Sequence, residues 1–127
     1  RQMCIRDRMD LKSNATVYWF MHTSANATVN ADNTVTLEKN NKKMKLRFVT
    51  DAPNAWISVA DAQPLPVIDS EVSSSGYPND PNQSQNNGVR KIMIKLKGSG
   101  KINLSVQLLP EGQTSQANLN LSLNQWN

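Results

Sequence analysis

Thr16-Val17-Tyr18-Trp19-Phe20-Met21-His22-Thr23 is the stretch from which the fold is read. From Thr16 to Phe20 every residue is β-branched or aromatic. Such side chains lose rotamer freedom against a helical turn and fit a pleated surface, so the segment is a strand. With large side chains at odd and even positions alike, it reads as a central strand packed on both faces. It also holds the chain's single histidine and two of its five Tyr and Trp residues. Chemistry is therefore sought here first.

Upstream of it, Arg1-Gln2-Met3-Cys4-Ile5-Arg6-Asp7-Arg8 has neither hydrophobic periodicity nor the apolar core of a signal peptide. All eight residues match the translation of a transposase-adaptor end, CGT-CAG-ATG-TGT-ATA-AGA-GAC-AG completed by the next base. Residues 1–8 are accordingly expected to be adaptor-derived and 9–127 to form one domain, with natural sequence continuing upstream. The other reading is a basic arm that binds phosphate, but charge runs are usually just solvated.

Arg1, Arg6 and Arg8 against Asp7 carry +2 of the formal +4, which leaves +2 for the remainder. A balance that small does not call for a nucleic-acid partner, and none is expected. Cys4 belongs to the same eight residues and is the only cysteine, so disulfides, zinc ribbons and thiol nucleophiles are not expected in the domain. No run approaches the roughly 18–20 apolar residues of a membrane-spanning helix.

Downstream, Asn26–Asn30 and Thr34–Glu38 alternate weakly on either side of Ala31-Asp32-Asn33, residues that tolerate the left-handed backbone of tight turns, and together they read as a β-hairpin. Asn40-Asn41-Lys42 is the next turn. Lys43–Val49 then alternates clearly, with Met44, Leu46 and Phe48 inward and Lys43, Lys45 and Arg47 outward. The basic row is either a solvated outer face that discourages edge pairing or a polyanion-binding stripe; no aromatics are interleaved along it, as a single-strand binder would want. Ala55–Ala60 is a further strand, entered through Asp51-Ala52-Pro53-Asn54. Trp56, beside Ile57 and Val59, is expected in core or barrel-end packing, with stacking on a sugar ring as the alternative.

From 63 to 87 the pattern fails: Pro64, Pro66, Pro78 and Pro81 and the run Ser73-Ser74-Ser75-Gly76 mark one long irregular loop. Asp69, Glu71 and Asp80 are scattered through it without the ordering of a calcium loop, and Tyr77 is its single aromatic. Val89–Lys97 and Lys101–Leu108 then read as the clearest β-hairpin, turned by Gly98-Ser99-Gly100. Ile92, Ile94 and Leu96 share one face with Ile102, Leu104, Val106 and Leu108, and Lys91, Lys95 and Lys97 share the other. A last alternating segment, Leu119–Leu123, precedes Trp126. The expected architecture is all-β, an antiparallel β-sandwich of about eight short strands.

No constellation for catalysis emerges. A Ser–His–Asp triad would have to use His22, yet no serine sits in a nucleophile-elbow context, and no Gly-rich loop suits a phosphate. His22 reads as a hydrogen-bonded strand-end histidine. No catalytic, metal or cofactor residue is assigned.

Tyr18-Trp19-Phe20-Met21-His22-Thr23, then Asn33-Thr34-Val35-Thr36-Leu37, then Lys43-Met44-Lys45-Leu46-Arg47 resemble the C-terminal β-region of heparinase II/III-like polysaccharide lyases. There a W-x-h-H-T strand leads into an N-x-x-x-L-type segment and a K-x-L-type strand. Lys91-Ile92-Met93-Ile94, the Ile102–Val106–Leu108–Pro110 pattern and the Leu121-to-Trp126 terminus are similar to that family's chain end, so the resemblance spans 16–127. It implies a secreted or periplasmic parent enzyme that cleaves uronic-acid glycans by β-elimination: a base takes the proton α to the uronate carboxylate and an acid assists the leaving oxygen. The family's H-x-H, D-x-G-x-Y and H-N motifs are absent here, and His22 occupies none of them. The expectation is a supporting portion, inactive alone and without a cofactor. Its partners would be an upstream catalytic domain and, through it, an acidic polysaccharide. An independent carbohydrate-binding or adhesive module, with Trp56 and Tyr77 as its platform, is the alternative.

Overall fold

The strand that organises the sheet lies near the C-terminal end of the chain. The computed structural model describes residues 3–62 and 87–113. Six strands occur there: β1 (Met3–Thr23), β2 (Asn26–Val29), β3 (Val35–Lys39), β4 (Lys42–Thr50), β5 (Asn54–Asp61) and β6 (Arg90–Pro110). All pairings are antiparallel within one sheet of order β1-β6-β4-β3-β2, with β5 also on β6. The all-β antiparallel expectation therefore holds, with six strands in one sheet among the described residues. The expected loop, apart from Asn87, and the segment Leu119–Leu123 lie outside those residues.

β6 corrects the hairpin expected over Val89–Leu108. It runs straight through Gly98-Ser99-Gly100 as one strand of 21 residues. Its apolar even positions never fall out of phase across the glycines, so a continuing strand satisfies the pattern as well as a reversal does. β1 is equally long and accompanies both halves: Trp19 faces Ile94 and Met9 faces Ile102, with a register shift where Leu11 pairs with Gly100 and Ala15 with Gly98. The extra residues Lys12-Ser13-Asn14 are thus absorbed as a bulge opposite Ser99, which bends the pair locally. Gly100 has φ +72, a left-handed conformation used here within a strand. Gly98 serves close approach: a Cβ there would meet Ile102 Cδ1 at 2.7 Å and Pro53 Cδ at 3.0 Å.

The aromatic stretch is also corrected. It is the second half of β1, which among the described residues stands at one end of the strand order where a central position was expected. Alternation divides its side chains. Val17, Trp19 and Met21 pack against the core, whereas Phe20 and His22 are exposed.

β6 holds the opposite edge open to two strands in succession. β5 pairs with its first half, Ile57 facing Ile94, and β4 with its second, Leu46 facing Leu108. The β4–β5 connection is fastened to β6 at Asn103. The Thr50 hydroxyl donates to the Asn103 carbonyl (2.7 Å), and the Asp51 carboxylate accepts from the Asn103 backbone N–H (2.7 Å) and from its Nδ2 (2.9 Å).

The two expected turns are present. Asn40 and Asn41, at φ +52 and +59, join Lys39 to Lys42 as a two-residue hairpin loop. Asn33, at φ +59, lies in the β2–β3 turn, where Asp32 Oδ1 accepts from the Thr34 hydroxyl (2.6 Å) and backbone N–H (3.2 Å). The far strand β2 comes back within reach of β5 and β6, so the sheet curls around a single core. That core is Val35, Leu37, Leu46, Ile92, Ile94, Leu96, Ile102, Leu104, Val106 and Leu108. Each full burial of such a side chain is worth roughly 1.5–3 kcal/mol relative to exposure.

Candidate functional site

The outward face of β1, β6 and β5 is built by three registers locked together. Directly paired residues on neighbouring strands project to the same side of a sheet. Tyr18 therefore stands beside Lys95 and Lys95 beside Trp56; Phe20 stands beside Met93 and Ser58; His22 beside Lys91 and Ala60; Thr16 beside Lys97 and Asn54. Neighbouring strands lie about 4.8 Å apart, which sets Tyr18 and Trp56 roughly 10 Å apart across Lys95.

The aromatics and lysines on this face are organised. Tyr18 and Phe20 stack nearly parallel, with centroids 6.1 Å apart and planes 6° from parallel. Lys95 Nζ lies 5.5 Å from the Tyr18 centroid, and Lys91 Nζ lies 5.5 Å from that of Phe20. A cation over an aromatic face is held by the ring quadrupole, so these contacts hold the buried Lys91 and the half-buried Lys95 against their rings. Phe20 remains 40% exposed and Trp56 49% exposed. No Asp or Glu stands at any of these positions, so the face is basic and aromatic without internal neutralisation. On the opposite side of the sheet, in phase with Ile92 and Val59, Arg90 and Asp61 form a salt bridge at the strand ends.

Trp56 is the third correction, since core or barrel-end packing was its expected place. Along β5 the alternation admits only one of the adjacent pair Trp56-Ile57 to the inside. Ala55, Ile57 and Val59 pack against the core, and the indole is left outside. His22 is exposed at its strand end, beside Lys91 and Phe20. Among the described residues no group of three or more His, Cys, Asp and Glu could hold a metal ion. Asp69, Glu71, Tyr77 and Asp80 lie outside the described residues.

The basic row of β4 behaves differently. Arg47 Nε donates to Gln107 Oε1 at 2.7 Å, and on the other side of β6 Arg6 Nε donates to Ser105 Oγ at 3.3 Å. Ser105 and Gln107 are buried polar residues, so these arginines serve hydrogen bonding of the fold. Lys43 and Lys45 are exposed. Reading the sequence one strand at a time missed the Tyr18–Lys95–Trp56 row, because its members come from three strands. The available signal was the period of two, which puts Tyr18, Phe20 and His22 on one side and Val17, Trp19 and Met21 on the other.

Comparison of the chain with protein-family models and with curated proteins finds no match.

Proposed function

We propose that this chain is the C-terminal β-portion of a polysaccharide lyase that acts on uronic-acid glycans by β-elimination, and that it supports the enzyme without carrying its chemistry. In this reading the curled sheet is part of a β-sandwich, and residues 1–8 are adaptor-derived. The parent is secreted or periplasmic, and the partners are an upstream catalytic domain and an acidic polysaccharide. One observation carries the proposal. The segments that resemble the heparinase II/III-like lyases are neighbours in space: Trp19 to His22 run beside Lys91 to Ile94, and Val35 to Leu37 run beside Met44 to Leu46. A longer nucleotide sequence of the gene is the test. An in-frame H-x-H and D-x-G-x-Y series upstream supports the proposal, and an intact gene without it overturns it. Release of unsaturated uronate absorbance from heparin or alginate by the chain alone would overturn the supporting role.

A second reading, an independent carbohydrate-binding module, is favoured by the exposed Trp56 on a face that also carries Tyr18 and Phe20. The two readings share an acidic glycan or a sugar surface as partner.

A further inference from the structure

We propose that the outward face of β1, β5 and β6 is a binding surface for an anionic polysaccharide, with Trp56 stacking on a sugar ring and Lys95, beside it, and Lys97, further along β6, pairing with carboxylate or sulfate groups. The proposal rests on the carbohydrate-directed reading above and adds to it the surface, the residues and the charge of the ligand.

Charge complementarity is the first argument. Lys95 stands directly between Tyr18 and Trp56, and Lys97 follows on the same face, about 7 Å further along the strand. Among the described residues, none of the paired positions on the face is a carboxylate. Lys91 is itself buried and associated with Phe20, so the cations turned to a ligand are Lys95 and Lys97. The second argument is the exposed indole. A half-exposed Trp in the middle of a strand, flanked by Asn54, Ser58 and Lys95, joins an apolar ring face to the amide and hydroxyl groups that bond sugar hydroxyls.

The arrangement also separates glycans from nucleic acid. Single-strand binders stack successive bases on successive open rings. Here Tyr18 and Phe20 are stacked with each other, and each has a lysine ammonium over its ring. Trp56 is left as the ring for stacking, which suits one sugar with charged neighbours better than a run of bases. The face also has no Arg among its paired positions, the residue that best matches phosphate geometry.

The test is calorimetric titration of the purified chain with alginate oligosaccharide, with a neutral cello-oligosaccharide of equal length and with oligothymidylate. Alginate should bind and the neutral sugar should bind at least about tenfold more weakly. Trp56→Ala and Lys95→Gln should each weaken alginate binding about tenfold or more. Replacing both Lys43 and Lys45 by Gln removes more charge from exposed positions on β4 and should change affinity less than about twofold. Equal losses in the two sets would reduce the effect to general attraction between opposite charges and overturn the site. Oligothymidylate binding as tightly as alginate would assign the face to nucleic acid, and concentration-dependent dimerisation abolished by Trp56→Ala would assign it to a second copy of the chain. Absence of alginate binding refutes this surface while leaving the lyase parentage to the upstream gene sequence.

Discussion

The two halves of β6 are built from the same alternation and come to opposite ends. From Arg90 to Lys97 the inner positions Ile92, Ile94 and Leu96 are fully buried, and the outer positions present Met93, Lys95 and Lys97 to a face shared with exposed aromatics. From Lys101 to Pro110 the inner positions Ile102, Leu104, Val106 and Leu108 are equally buried, but the outer Ser105, Gln107 and Leu109 are buried too. Arg6 and Arg47 reach Ser105 and Gln107 from the flanking strands. The difference teaches that a basic row on a strand has no fixed meaning. Arginines hydrogen-bonded to buried polar groups belong to the fold, whereas Lys95 and Lys97, on the face that carries the exposed Trp56, are turned toward a ligand.

The strongest way to sharpen this comparison is to truncate the inner face of each half. Ile94→Ala and Leu104→Ala should each lose about 2–5 kcal/mol in urea unfolding, because both halves feed one core. A loss below about 1 kcal/mol in either would show that half packed outside the core. The outer faces should then separate the halves. Gln107→Ala should cost about 1–3 kcal/mol by leaving the Arg47 guanidinium without its buried acceptor. Lys95→Gln, which loses only the ammonium over Tyr18 from a half-buried position, should cost no more than about 1 kcal/mol. Equal costs would erase the contrast.

The junction itself is tested by Gly98→Ala. The added Cβ would press on Ile102 and on the Pro53 ring, so unfolding should come about 1–3 kcal/mol more easily. Unchanged stability would mean that Pro53 does not seat against β6 at this point.

The smallest effect lies at the far edge, in the β2–β3 turn. The Thr34 hydroxyl, donating to Asp32, is the main cause that holds the Asp32 carboxyl below its ordinary value of 3.8, and Lys45 adds to it. A folded-state value below the unfolded one means that the unfolded chain binds more protons in between. The contribution is therefore present above the ordinary carboxylate value and is lost as pH falls through the lowered one. Asp32→Asn should be less stable than the parent by a constant amount at neutral pH and down toward the ordinary carboxylate value, with the difference shrinking as pH falls past 3.8. A constant difference at every pH would contradict the assignment.

What the sequence disclosed follows from what is local. Alternation in Lys43–Val49 fixed which side of β4 is buried, and Asn33 and the pair Asn40-Asn41 announced their turns, because backbone at positive φ selects asparagine. Gly98-Ser99-Gly100 was ambiguous for a physical reason: glycine permits a reversal and equally permits a bend within a strand, and only the length of the partner β1 decides between them. Trp56 was misplaced because hydrophobicity alone does not order two adjacent apolar residues, whereas the pleat allows one of them inside. The Tyr18–Lys95–Trp56 row was illegible in principle to any reading confined to single strands, since pairing between distant segments creates it.

The contrast depends on β6 being one strand, and backbone nuclear Overhauser contacts test that directly. A single strand gives cross-strand contacts between the Phe20 and Met93 region on one side of Gly98–Gly100 and between the Met9 and Ile102 region on the other. Contacts joining Leu96 to Ile102 or Lys95 to Asn103 would show a hairpin closed at the glycines and would contradict it.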